Sequence, residues 1–455
     1  MKKIINKAIL FKTITIAVLI LLMLIPLVFV ENVIYDRNRY KNEAVSKITK
    51  SWGGQVILAA PILNMPYAYN EVTEVFQDNK TIQKVTTRTA YAKFAPQDLD
   101  VDVKINSQIR YIGIFEVPVF SADIVMKGSF EALDKAYLDY AQDAFISLET
   151  KDIKGISEPV LVWNEKEHGF EPGSKANSLE ITPLANEEDR YYYSRVTLHS
   201  LASDIDFKNN GGKFELKFSI KGSESISFVP LAKKNRFHMS SDWANPNFAG
   251  NFLPDEKNIT NKGFEALWDI NYLSSGVPPR FDGRDLSSAQ FQTTFLIPVD
   301  NYRSAERAVK YGILFIALTF IICFVFELAN HRPIHPVQYL LVGFAMVIFY
   351  TLLISISEFI NFSWAYLLSA AAVVSLITAY AKFGIDKNLG VKNIGIIALS
   401  LSFLYGYLYM LLQLQDMALL YGSIGLFIAL AVIMFMTRNV NWYKEEQQEK
   451  KGDNV

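Results

Sequence analysis

Hydrophobic positions along this chain follow two different rhythms. Near the N-terminus, and again beyond residue 310, they run without interruption. Between these blocks they alternate with polar residues. The first run covers about residues 14–30 and is preceded by Lys2, Lys3, Lys7 and Lys12. Five further runs fall near 311–328, 337–356, 363–381, 394–412 and 417–436. Each has the length a helix needs to cross a hydrocarbon core of about 30 Å, where only a helix satisfies its own backbone. The last two are close enough that 413–416 must be a tight turn.

In the middle of the chain the period is two. Phe214, Leu216, Phe218 and Ile220 alternate with Lys213, Glu215, Lys217 and Ser219. Val101, Val103 and Ile105 alternate with Asp102 and Lys104, and Val196 and Leu198 do so weakly. This is the signature of antiparallel strands with one buried and one wet face. Ile205 and Phe207 lead through Asn209, Asn210, Gly211 and Gly212 toward the Phe214 strand, which predicts a hairpin. Asp282-Gly283 predicts another turn, and 131–144 suits a helix or a loop equally. Residues 33–52 return to helical spacing, with Ile34, Arg37, Lys41, Val45, Ile48 and Trp52 on one face, and predict a stalk docked on the polar region.

The expected fold is therefore an α-helical membrane protein of about six transmembrane helices carrying a large, mostly-β domain, a sandwich or two stacked sheets. Its expected parts are an anchor (1–32), a stalk helix (33–52), the β-rich domain (53–305), a five-helix bundle (306–440) and a tail (441–455). The first run lacks small residues at cleavage spacing after Pro26, so an uncleaved anchor is expected rather than a signal peptide.

Basic residues in short loops give the orientation. Arg332, then Lys382, Lys387 and Lys392, then Arg438, Lys444, Lys450 and Lys451 fall on one side, while 357–362 and 413–416 carry no Lys or Arg. Both termini are thus expected in the cytoplasm and residues 33–305 outside it. Arg303, Arg307 and Lys310 stand on the outer side against this rule. Glu306 and Lys310 have the spacing of a helical ion pair. Pairing of Arg307 or Lys310 with Glu358 or Asp416 would close the outer ends of the bundle; separate solvated charges are the alternative.

Composition narrows the chemistry. The chain has 455 residues and a formal charge of −1, so no general attraction to nucleic acid is expected. Its single cysteine, Cys323, excludes an intrachain disulfide and a cysteine zinc cluster. His331 and His335 are four apart, but Pro333 between them denies a helical metal pair. Phosphate-binding loops, dinucleotide fingerprints and nucleophile elbows are missing from the sequence, and Gly53-Gly54 and Gly211-Gly212 serve as turn glycines. No catalytic residue, metal ligand or cofactor is assigned. Glu327, at the end of the second span, opposes the helix dipole and is expected to pair with Arg332, His331 or His335. It is either a paired anchor or a proton-coupling carboxylate. Ala371, Ser375 and Ala379, and also Gly425 and Ala429, form small-residue faces suited to close helix packing. Tyr405, Tyr407, Tyr409 and Trp442 suit interfacial or packing roles.

Several strings resemble the CreD family. They include 241–254, Ser-Asp-Trp-Ala-Asn-Pro-Asn-Phe-Ala-Gly-Asn-Phe-Leu-Pro, and 263–268, Gly-Phe-Glu-Ala-Leu-Trp. In the apolar block they include Ile316–Phe320, Phe324–Glu327, His335–Gly343, Phe349-Tyr350, Ser357-Glu358 and Thr437–Tyr443. The stretch from about 67 to 239 matches little. The resemblance implies a bacterial inner-membrane location, a periplasmic domain and a role in envelope integrity, with links to envelope stress and β-lactam response. It brings no active site. Physically, 243–254 reads as a corner bent by Pro246 and Pro254 and anchored by Trp243, Phe248 and Phe252. The function expected is non-enzymatic, with membrane lipids and an envelope protein or cell-wall component as partners. A transporter or lipid-handling protein with a substrate path through the bundle is the alternative.

Overall fold

The computed structural model describes the whole chain except residues 1, 2, 6, 78, 79, 134–142, 174, 175, 177, 185–195, 208–210, 282–285, 287, 288, 296–300, 331, 332, 386–390, 415, 416, 439–442 and 446–455. The chain forms two compact units, one of residues 1–41 with 299–455 and one of residues 42–298.

The first unit is helical. Helices α1 (Lys7–Leu22) and α2 (Leu24–Trp52) meet at Met23 and act as nearly one rod. The chain returns after the second unit as a short amphipathic α3 (Asn301–Lys310), then α4 (Gly312–Asn330), α5 (Pro336–Ser357), α6 (Phe362–Tyr380), α7 (Val391–Gln413) and α8 (Ala418–Thr437). Among the described residues, five helices are long and apolar enough to cross a membrane. A sixth crossing is made if α3 and α4, bent by 47° at Tyr311, are one span. The bend separates two chemistries. In α3, Tyr302, Ala305, Ala308 and Val309 are buried while Arg303 and Lys310 are exposed; α4 is apolar throughout until Glu327.

Local sequence sets the helix starts. His335 caps α5: its Nδ1 accepts from Val337 N–H (3.3 Å), and Gln338 Oε1 accepts from His335 N–H (2.9 Å). Pro336 occupies the first turn, where its missing N–H costs nothing. Asn361 caps α6 by accepting from Ser363 N–H at 3.0 Å. An aromatic knot holds the bundle. Phe349 meets Tyr350, Tyr366 and Tyr405 at 4.8–5.3 Å between centroids, and Tyr366 donates to the Tyr405 carbonyl at 2.6 Å. Tyr409 donates to Ser363 Oγ at 2.9 Å and Tyr407 to the Tyr421 carbonyl. Tyr405 is buried in the unit, whereas Tyr407 and Tyr409 are half-buried. Trp442 lies outside the described residues.

The small-residue faces divide. Gly425 leaves room for Tyr407, since a Cβ there would fall 1.9 Å from the Tyr407 hydroxyl. Ala371, Ser375 and Ala379, by contrast, are exposed. The buried face of α6 is Ala365, Tyr366, Ser369, Ala370, Val373 and Ile377, so close packing uses the opposite side. Small side chains permit close approach but do not say which face is approached.

The second unit is two sheets around one core. In spatial order the eight-stranded sheet is Glu256–Thr260, Gly263–Asn271, Lys234–Ser241, Asp98–Ile112, Phe115–Phe130, Gly212–Ser223, Val160–Trp163 and Lys166–Gly169. A ten-stranded sheet runs Pro246–Gly250, Phe291–Phe295, Ser225–Val229, Val56–Ala59, Phe145–Thr150, Ile62–Gln77, Lys80–Phe94 and Arg280–Phe281. His199–Asp204 branches from Phe145–Thr150 and pairs in turn with Glu171–Pro172. The expected alternation holds in both places: Phe214, Leu216, Phe218 and Ile220 are buried, as are Val101, Val103 and Ile105. They join Leu58, Leu63, Ile146, Leu148, Ile226 and Phe228 of the other sheet in a single apolar cluster.

The hairpin expected before Phe214 does not form. His199–Asp204 pairs with Phe145–Thr150 in the ten-stranded sheet, whereas Gly212–Ser223 pairs with Phe115–Phe130 and Val160–Trp163 in the other. The glycines, with Gly211 at φ +73, serve a crossing between sheets, because Phe115–Phe130 offers Phe214 a longer partner. Asp282-Gly283 and most of 131–144 lie outside the described residues. The 243–254 string packs as a corner: Trp243 meets Phe295, and Phe248 meets Phe264 and Trp268 at 5.5–5.6 Å.

The end of α2 docks on the eight-stranded sheet through Ile48, with Val45 and Trp52, against Val117, Val119 and Ile112. Gly53 then turns the chain with φ +136, and a Cβ there would lie 2.4 Å from the Lys221 carbonyl oxygen. Gly53→Ala is expected to cost about 1–3 kcal/mol through backbone strain and displacement of that carbonyl; thermal unfolding of the full chain in detergent measures it.

The strand Phe145–Thr150 is buried on both faces and carries Glu149, 1 % exposed. Burial pushes the Glu149 carboxyl above its ordinary value of 4.5, while the Lys93 cation, the Ser200 and Ser147 hydroxyls and the Leu179 backbone pull it back. The native chain therefore binds this proton more tightly than the unfolded chain. The stability it contributes is complete below 4.5 and is lost as pH rises through the raised native value. Glu149→Gln is expected to flatten that slope in unfolding curves recorded between pH 4.5 and neutrality.

Candidate functional site

Two charged clusters stand out within the helical unit, and each contains a cation from the first helix. In one, Glu327 near the end of α4 is 8 % exposed. Its Oε1 pairs with Lys12 Nζ, and its Oε2 accepts from the Tyr339 hydroxyl at 2.9 Å. Lys12 also donates to the Ile334 carbonyl (2.6 Å), in the connection between α4 and α5. Both carboxylate oxygens are thus satisfied, which is the condition for burying a charge without a large penalty. In the other, Glu358 at the end of α5 accepts on Oε1 from Arg37 Nε (3.2 Å) and from the Tyr302 hydroxyl of α3 (3.1 Å).

The two clusters repeat one recipe: cation from the α1–α2 rod, carboxylate, tyrosine. Their spacing has a simple meaning. At 1.5 Å per residue a helix from Lys12 to Arg37 is about 37 Å long, and one from Tyr339 to Glu358 about 28 Å. Those lengths bracket a hydrocarbon core of about 30 Å. Each cluster therefore belongs at one boundary of the apolar layer, where long side chains still reach polar surroundings. Between them Met23, fully buried, lies over Gly343 and Phe320 and fills the gap between α1, α4 and α5.

The cations found on Glu327 and Glu358 are not among those expected from sequence. Glu327 binds Lys12 and Tyr339. His335 is committed to capping α5, and His331 and Arg332 lie outside the described residues. A signal was available: Lys12 stands just ahead of the first apolar run, on the side that the loop charges assign to Glu327. Glu358 binds Arg37 and Tyr302. Lys310 pairs within its own helix with Glu306 at 2.7 Å, as the spacing predicts. Arg307 Nη2 reaches Ser304 Oγ at 3.4 Å, and its Nε finds no hydrogen-bond partner among the described residues. Asp416 lies outside the described residues.

Two cavities complete the picture. A small apolar one, about 40 Å³, lies among Ile322, Cys323, Phe326, Val342, Ile377 and Leu401, close in sequence to Glu327. In the β unit an open polar groove of about 430 Å³ is lined by Lys104, Asn106, Asp242, Thr260, Lys262 and Glu265. Asp242 Oδ1 accepts from both the backbone N–H (2.8 Å) and hydroxyl (2.6 Å) of Ser107, which fixes one wall. Of the histidines, His238 Nδ1 lies 3.2 Å from Asp102 Oδ1 at the surface. Among the described residues no three His, Cys, Asp or Glu side chains gather as a metal site.

The clusters make a sharp prediction. Lys12→Met leaves a buried carboxylate with one tyrosine and is expected to destabilise the helical unit by about 3 kcal/mol. Exchanging the charges, Lys12→Glu with Glu327→Lys, is expected to recover most of that loss in thermal unfolding. A carboxylate needed for proton coupling would tolerate no such exchange.

The profile described as "Inner membrane protein CreD" matches residues 8–443. "Inner membrane protein CreD" of Escherichia coli (strain K12) is 31 % identical over 435 residues, covering 93 % of this chain and 91 % of that protein. Among solved structures, yeast LTA4 hydrolase with Bestatin aligns over 50 % of this chain and 35 % of its own, at 9 % identity and a TM-score of 0.23. The native yeast enzyme has the same identity and coverage and a TM-score of 0.19. This chain thus spans about a third of those chains, and likeness so faint carries no argument. The near end-to-end agreement in sequence does: the chain belongs to the CreD family of inner membrane proteins.

Proposed function

We propose that this chain supports cell-envelope integrity without catalysing a reaction, holding residues 42–298 on the periplasmic side as a binding module. The observation that carries this reading is the use made of the membrane-unit carboxylates: Glu327 and Glu358 each tie the first helix to its neighbours. Charges committed to both oxygens or to two donors stabilise a fixed assembly. The apolar lining of the small cavity near Cys323 fits a sealed bundle better than a substrate path.

The polar groove beside Asp242 supports the binding half of the reading. Lys104, Lys262, Asp242 and Glu265 present both signs of charge on a rigid sheet, as recognition of a polar envelope component requires. Loop lysines and arginines support termini on the cytoplasmic side.

Two measurements test this. Alkaline phosphatase fused after Lys213 is expected to be active, and fused after Arg438 inactive; the reverse pattern would exclude a periplasmic β unit. In cells lacking the protein, the wild-type gene is expected to restore survival of detergent and β-lactam challenge. Lys104→Glu with Lys262→Glu is expected to lose that rescue at unchanged protein level. Full rescue by this variant would remove the groove from the proposal.

A further inference from the structure

We propose that the polar groove beside Asp242 binds a short zwitterionic peptide, a choice of ligand that rests on the binding role already proposed for it. The peptide's ammonium lies toward Glu265 and its carboxylate toward Lys104. The groove exists because a central strand stops early. Lys234–Ser241 is held between Asp98–Ile112 and Gly263–Asn271 over all 8 of its residues. After Ser241 the chain leaves for Pro246–Gly250 in the other sheet. Asp242 takes part of the vacated place, and its carboxylate, in place of a backbone carbonyl, accepts from the Ser107 N–H. On the far side Thr260 Oγ1 accepts from the Lys262 N–H (3.2 Å) and donates to the Gly263 carbonyl (3.1 Å), which orders the turn carrying Lys262.

Elsewhere on this sheet, charged side chains meet one another. Glu215 meets Lys127 and Lys217 at 3.1–3.4 Å, while Arg236 meets Asp269 and His238 meets Asp102, both at 3.2 Å. In the groove they do not: Lys104, Lys262 and Glu265 have no ion-pair partner among the described residues. Asp123, across from Lys104, accepts from Ser219 Oγ at 2.5 Å. Lys104 and Glu265 share one rung, on either side of Ser240. Two strand spacings put their backbones about 10 Å apart. Asp242 follows the central strand and Lys262 precedes Gly263, so one rung on the signs come in the opposite order. A ligand of a single sign therefore meets repulsion as well as attraction, and a neutral one makes charged groups lose water without a partner. The apolar lining, Ile105 and Phe264, is buried, so no ring is offered for stacking a base. A molecule with a cation at one end and an anion at the other satisfies Glu265 and Lys104 together. An extended tripeptide reaches about 10 Å, the same span, and its amides suit the Asn106 and Asn258 side chains. The groove's volume of about 430 Å³ falls in the range of small-ligand sites, roughly 300–1,000 Å³.

The test is calorimetric titration of the full chain in lipid nanodiscs with triglycine, N-acetyl-triglycine, triglycine amide and free glycine. Triglycine is expected to bind roughly tenfold more tightly than either blocked form, which is what one charge-assisted contact is worth. Glycine, too short to reach both walls, is expected to bind no better than the blocked forms. Lys104→Met is expected to abolish the difference between triglycine and its amide. Glu265→Gln is expected to abolish the difference between triglycine and its acetyl form. Thermal unfolding identifies any variant that fails to fold, and the two substitutions test opposite ends independently. Equal affinity for the three peptides, or no binding of any, overturns the proposal; tighter binding of the acetyl form alone makes the groove an anion site and overturns it too. If cells meanwhile lose rescue with Lys104→Glu and Lys262→Glu, the binding role stands and only the peptide is removed. Triglycine binding with rescue retained removes the cellular role and keeps the site.

Discussion

Lipid does not solvate charge, and the helical unit is organised by that fact. A lysine or arginine on the first helix is tolerated only where it meets an acidic partner close to the boundary of the apolar layer. Lys12 with Glu327 and Arg37 with Glu358 meet that condition at the two ends of one rod. Each pair is completed by a tyrosine hydroxyl from a third segment, so three pieces of chain converge at each end. What lies between carries no ion pair among the described residues; it is apolar packing around Met23, Phe320 and Phe349 with hydrogen bonds from the tyrosines beside it. Apolar packing in lipid has little hydrophobic drive and sets neither register nor depth by itself. The paired charges set both.

The β unit obeys the complementary rule. Water surrounds it, so its order comes from burying apolar area between two sheets. Several of its buried polar groups sit on strands covered on both faces. Glu149, with Lys93, Ser147 and Asn64 nearby in the sheet, marks such a place, and Asn64 Nδ2 donates to Ser147 Oγ at 2.9 Å. An internal carboxyl of this kind costs stability when ionised, so its own contribution to stability grows as pH falls toward its ordinary value.

What could be read from the sequence followed from rules that act locally. Uninterrupted apolar runs gave helices close to their observed bounds, because a span must be long and uncharged. Alternation at Val101–Ile105 and Phe214–Ile220 gave strands and faces, because pleating imposes a period of two. Glu306 and Lys310 were visible as a pair four apart. What escaped was set by distance along the chain. Ser225–Val229 lies parallel to Val56–Ala59, and Lys234–Ser241 parallel to Asp98–Ile105, pairings that no turn signal announces. The cations of Glu327 and Glu358 escaped for the same reason, Lys12 and Arg37 each being more than three hundred positions away. Even His335, legible as a loop histidine, concealed a cap whose other half is Gln338.

That separation carries a consequence for biogenesis. Lys12 and Glu327 are 315 positions apart. At roughly 5–20 residues per second, a ribosome needs roughly 15–60 s to pass from one to the other. Through that interval the first helix must stay in the bilayer with its lysine unneutralised, while the β unit assembles from strands that are themselves far apart in translation. Only once the hairpin of α4 and α5 has entered the bilayer can the nascent anchor be locked in place. The opening segment of the polypeptide is thus among the earliest to reach the membrane and among the last to be secured there.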